Sequence, residues 1–168
     1  MDLQQAATII ALILSGMGLI GTAIGLILTA RQLKISQKIA RSDFLLHIDE
    51  LLGQHDKVHR LLRPGGDWSR AGGGPADAGD WADVDNYMGL FERMKVLVDS
   101  AIIDLPTLNR LYGYRITNIV SNTAIRQRKL EDEKGSWEDF LALVRQLSEI
   151  RPGIREAMSS PLGEANGD

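Results

Sequence analysis

The string "HDKVH", His55 to His59, is the part of this chain whose residue types and spacing come closest to catalytic chemistry. Two histidines four apart share one face of a helix, where both imidazoles can hold one metal ion. An acid directly after the first gives the order of the H-E-x-x-H motif of zinc hydrolases. Asp56 stands where that motif has glutamate, its side chain is one methylene shorter, and no third ligand has motif support. Val58 and Leu62 also assign this helix to a core. A metal-dependent hydrolase using His55 and His59 is therefore an alternative. The main expectation is a pair of solvated or hydrogen-bonded histidines, with no metal and no other cofactor. His47, two turns earlier, could extend the pair into a pH-sensitive row.

"YGYR", Tyr112 to Arg115, has the residue types of a ligand pocket, but packing explains it as well. Gly113 lets helices approach closely, the tyrosines pack their rings while keeping hydroxyl partners, and Arg115 pairs with a carboxylate. Glu92 in "LFER" is the expected partner, because an acid and an arginine on facing apolar helices are costly to bury apart. No paired carboxylates, Ser-His-Asp set or lysine nucleophile can be assembled. The absence of cysteine removes disulfides, thiolate metal sites and a cysteine nucleophile. The run Gly72, Gly73, Gly74 is not a phosphate loop, since no Lys-Ser/Thr follows and no apolar strand precedes it. These residues predict a protein that is not an enzyme.

The elements that carry these residues begin with an apolar run. Residues 6–30 hold no charge and only Thr8, Ser15, Thr22 and Thr29 as polar side chains. At ~1.5 Å per residue they reach roughly 37 Å, enough to cross a hydrocarbon core of ~30 Å with some tilt. A cleaved signal peptide needs a basic start and a shorter apolar stretch, and "MDLQQ" supplies no base. Arg31, Lys34, Lys38 and Arg41 follow the run, so the positive-inside rule predicts a single-pass anchor with its N-terminus outside and a cytoplasmic C-terminal domain. These four residues lie along one side of a helix among anionic head groups, each contributing up to ~1 kcal/mol. With a net charge of -3, and with the other basic run, Arg126 to Lys134, mixed in sign, nucleic acid is not an expected partner.

A second stripe runs along the same helix. Gly18, Gly21, Gly25, Leu28, Gln32, Ile35, Ile39, Ser42 and Leu46 follow at intervals of three and four, which is coiled-coil spacing. Gly21 and Gly25 form the small-xxx-small pattern that lets two membrane helices approach. The stripe predicts self-association as a dimer or small oligomer, and rotation at ~100° per residue keeps the basic residues off it. In a parallel pair Lys38 would come near Asp43 of the other copy.

The rest reads as all-α: a flank (1–5), the span (6–30), a juxtamembrane and cytosolic helix (31–62), a flexible Gly/Pro-rich loop (63–80), a helical bundle (81–151) and a disordered tail (152–168). Core faces are predicted at Phe44, Ile48, Leu51, Val58 and Leu62; at Val84, Met88, Phe91, Met94 and Val98, widened by Leu90 and Leu97; at Leu108, Leu111, Tyr112, Ile116, Ile119 and Val120; and at Trp137, Phe140, Leu141, Val144 and Leu147. Asp104 is the predicted cap of one bundle helix, and Ser136 with Asp139 the predicted capping box of another.

The run "YMGLFERMKVLVDSAIIDLPTLNRLYGYRITNIVSN", with "VHRLLRPGGDW" before it and "WEDFLALVRQL" after it, resembles a family of small bacterial single-pass membrane-anchored helical proteins classed as a domain of unknown function. The resemblance implies a bacterial source and one amino-terminal span, hence the inner membrane as the expected location, and it supplies no catalytic residues. The expected function is a membrane-anchored helical interaction or scaffold module, binding lipid head groups, itself and an unidentified protein. The alternative is an oligomeric effector that forms a pore or disrupts the bilayer, as toxins and phage-defence proteins do.

Overall fold

A computed structural model describes the backbone of residues 3–70 and 72–160, and the side chains there except those of residues 3–21, 23–24, 37–38 and 41. Every regular element among the described residues is helical. The chain divides into two units, Met1–Leu45 and Leu46–Asp168.

The first unit is helix throughout its described backbone, the larger part of α1 (Leu3–Gln54). No proline interrupts it, and its many leucines and alanines favour helix. Among the described residues no helix is long and apolar enough to cross a membrane. Most side chains of the apolar run 6–30 lie outside the described residues, as do Gly18, Gly21, Lys38 and Arg41.

The second unit starts with the end of α1 and continues through α2 (Asp56–Leu62), α3 (Ala78–Asp99), α4 (Leu105–Ser121), α5 (Thr123–Ile125), α6 (Glu138–Ile150) and α7 (Pro152–Ser159). Helix α3 packs against α6, α4 against α7, and α2 against both α3 and α4. Ile48, Leu52, Val58, Leu62, Met88, Phe91, Leu108, Ile116, Phe140, Leu143 and Ile154 are buried at their junction. Sharp starts follow from side-chain caps: Asp77 accepts the Asp80 N–H at 2.8 Å, and Asp104 accepts the Thr107 N–H at 2.7 Å.

Four expectations change. The helix expected over 31–62 breaks at His55, whose φ of -104° and ψ of 22° leave the helical region just after Gly53 and Gln54. The loop 63–80 is pinned: Trp68 is buried in a 3-10 turn, Asp67–Ser69. The Asn122 amide donates to the carbonyls of Trp68 and Gly73 at 2.7 and 3.0 Å, while its oxygen caps α5 at Ile125 N–H. Gly73 is required there, because a Cβ would run into the Asp67 carbonyl. Residues 152–159, expected as disordered, form α7, held by fully buried Ile154 and by Arg126, which donates to the carbonyls of Ala157 and Ser160. Ser136 lies in a 3-10 turn, and α6 starts at Trp137 without a side-chain cap, so no Ser136–Asp139 box forms.

Between α5 and α6 the chain takes a π turn, Arg126–Asp132, that buries Lys129. The ammonium lies 2.7 Å from Asp85 Oδ1 and 2.7 Å from Glu133 Oε2, between the rings of Trp81 and Trp137 at 5.5 and 5.9 Å. At Asp85 the approach is a charge contact without hydrogen-bond alignment, which leaves Oδ1 with no hydrogen-bond partner. The two acids are 43% and 37% exposed and can rehydrate if the lysine goes. Lys129→Met, which keeps the stem between the tryptophans, is therefore expected to cost only about 1 kcal/mol, and Lys129→Ala about 2–3 kcal/mol. Urea unfolding of the two variants measures that difference.

Candidate functional site

The break at His55 brings the chemically capable residues of the second unit together. His55 and His59 sit at the start and middle of α2, Tyr87 on α3, and Tyr112, Tyr114 and Arg115 on α4. The His55 ring is 6.4 Å from Tyr87, and His59 stands edge-on to Tyr114 at 5.5 Å. Arg115 Nε donates to the Tyr114 hydroxyl at 3.0 Å and Nη1 to the Tyr87 hydroxyl at 3.3 Å. Tyr112 donates its hydroxyl proton to Asp49 at 2.9 Å.

The expected Glu92–Arg115 pair does not form. Arg115 turns to the tyrosine hydroxyls, while Glu92 accepts from the Phe140 backbone N–H. Burial outweighs that bond and raises the Glu92 carboxyl above its usual value. The local reason is Tyr87, one and a half turns before Glu92, whose buried hydroxyl reaches the guanidinium first. His55 and His59 each face a tyrosine ring, and among the described residues no three His, Asp or Glu side chains gather where a metal could be held. Gly113 makes room for an arginine side chain: a Cβ would meet Arg151, whose guanidinium donates to Thr117 and Asn109.

Burial shapes the proton affinities here. It pushes the Tyr87 hydroxyl up to about 12, against the pull of Arg115, and raises Tyr112 further with the help of Asp49. Burial, then the nearby Arg115 charge, lowers the His59 imidazole below 6.5. The unfolded ring therefore gains its proton before the folded one does, so the stabilisation is complete above 6.5 and is lost as pH falls toward the folded value. Denaturation midpoints are expected to fall as pH drops below 6.5, and His59→Gln to flatten that slope.

The other sequence-derived site is the stripe on α1. Leu28, Ile35, Ile39 and Leu46 are 53%, 60%, 56% and 68% exposed. Gly25, Arg31, Gln32, Lys34 and Ser42 are exposed as well. A Cβ on Gly25 would meet nothing within 4 Å, so this chain's own packing does not require glycine there. At the end of α1 the helix has two apolar sides: Ile48 and Leu52 are 5% and 1% exposed, while Leu46 is open.

Sequence reasoning missed Tyr87 and Asp49 as parts of the cluster. Asp49 had a signal, as the acid that ends the three-four stripe, and Tyr112 is what it serves. Tyr87 had none, since its position is an ordinary core position of α3.

Comparison of the chain with protein-family models, with curated proteins and with solved structures found no match.

Proposed function

We propose that this protein is a membrane-anchored interaction module that pairs through α1 and presents its helical bundle at the cytoplasmic face of a bacterial inner membrane. The observation that carries the reading is the row Leu28, Ile35, Ile39 and Leu46, more than half exposed at intervals of seven, four and seven on one helix. A monomer in water would leave that row uncovered, and a second copy of the same helix matches it by symmetry. Leu26, Ile27 and Leu28 are exposed at 66%, 56% and 53%, and successive residues point ~100° apart. No partner on one side covers all three, whereas lipid does. Arg31 and Lys34, exposed next to them, suit the anionic head groups.

The anchor is tested by fractionating cells that express the full chain. Retention in the membrane pellet after alkaline carbonate washing, with the bundle cut by protease only when the cytoplasmic face is open, is the expected result. Release into the wash contradicts an anchor, and cleavage from the outer face contradicts the orientation.

A further inference from the structure

The donors and acceptors around Arg115 do not balance. Its guanidinium has five N–H groups, two of which go to tyrosine hydroxyls, and it has no carboxylate partner. The remaining three have no acceptor among the described residues and are not fully buried. Tyr87 and Tyr114 each accept from Arg115, so their own hydroxyl protons point elsewhere, and neither has an acceptor among the described residues. His59 Nδ1 is buried with no partner beside them. The nearest acids are committed: Asp56 pairs with Arg60 at 3.2 Å, and Asp49 accepts from Tyr112 at 2.9 Å. Arg63 adds positive potential at His59.

The result is a donor-rich, acceptor-poor cluster gathered from α2, α3 and α4, with the arginine fork held in place by two hydroxyls. We infer that Arg115, Tyr87, Tyr114 and His59 form a binding site for the phosphate group of a ligand. A carboxylate offers about four lone-pair sites, fewer than the free donors present, while the oxygens of a phosphate can satisfy them all. Partial burial strengthens each of these charge-assisted bonds relative to water. Tyr87 and Tyr114 act as positioning residues for the guanidinium and as donors themselves.

The test uses the full chain in detergent, titrated with inorganic phosphate while its thermal midpoint is followed, since a ligand that binds the folded state raises that midpoint saturably. Saturable stabilisation is expected in the wild type and in Lys57→Gln, whose lysine pairs with Asp80 and Asp83 outside the cluster. Arg115→Gln and Tyr114→Phe are each expected to weaken the apparent affinity by about tenfold or more. Tyr114 is 42% exposed, so its phenylalanine variant keeps the fold and decides the matter if Arg115→Gln does not. Displacement of phosphate by a short-chain phosphatidate assigns the group to a lipid head group, and lack of displacement to a free phosphate compound. No saturable response overturns the site. So does equal affinity in the wild type and both variants, which means an adventitious ion only.

Discussion

Phe91→Ala is expected to lower the stability of the second unit by about 3–5 kcal/mol, a large part of what a domain of this size possesses. Phe91 is fully buried in the middle of α3. Its ring meets Tyr87 edge-on at 5.2 Å on one side and Phe140 of α6 at 6.3 Å on the other. Truncation removes both aromatic contacts and leaves a cavity between two of the most closely packed helices, α3 and α6, whose rigid backbones can close it only in part. Phe91→Leu retains most of the apolar volume and is expected to cost about 1–2 kcal/mol. Because Phe91 supports the ring of Tyr87, the alanine variant should also lose affinity for phosphate at temperatures where it remains folded. Guanidinium unfolding followed by fluorescence of Trp68, Trp81 and Trp137 measures the stability, and a change below about 1 kcal/mol would contradict the packing described.

The second large effect is on assembly. Ile35→Asp combined with Ile39→Asp is expected to weaken self-association by at least about a hundredfold, because four isoleucines leave the interface of a symmetric pair and four carboxylates enter it. Each buried isoleucine contributes up to about 2–3 kcal/mol, and like charges facing one another oppose the pairing further. The bundle should be unaffected, since both side chains are exposed within the single chain. Sedimentation equilibrium in detergent separates the two properties. Lys34→Gln, off the stripe, is expected to leave the oligomer unchanged. An unchanged mass in the double variant would remove Ile35 and Ile39 from any interface.

The helical class and most core positions were readable because amphipathic spacing is local. Val84, Met88, Phe91 and Met94, or Phe140, Val144 and Leu147, repeat at helical intervals and are all buried. Asp104 was readable for the same reason, since a cap depends on the three residues after it. What could not be read was set by residues far apart in sequence. The pinned loop depends on Asn122 reaching Trp68 and Gly73, and α7 depends on Arg126 reaching Ala157 and Ser160. The partner of Arg115 was assigned by charge to Glu92, and tertiary packing instead placed Tyr87 in reach. The histidines invited a metal by their spacing, yet a helix break at the first of them and a tyrosine ring against each gave them other neighbours.

The proposed function stands or falls on residues 25–46 of α1. The chain has no cysteine, so single cysteines can be placed without background. Variants at Gly25, Leu28, Ile35, Ile39 and Leu46, and at Leu33 and Lys34 between them, are to be crosslinked by mild oxidation in native membranes. Disulfide-linked dimers are expected at the first five positions and to fall away at the other two. A profile without that three-four rhythm, or one with its maximum at Leu33 or Lys34, would contradict pairing through this face of α1.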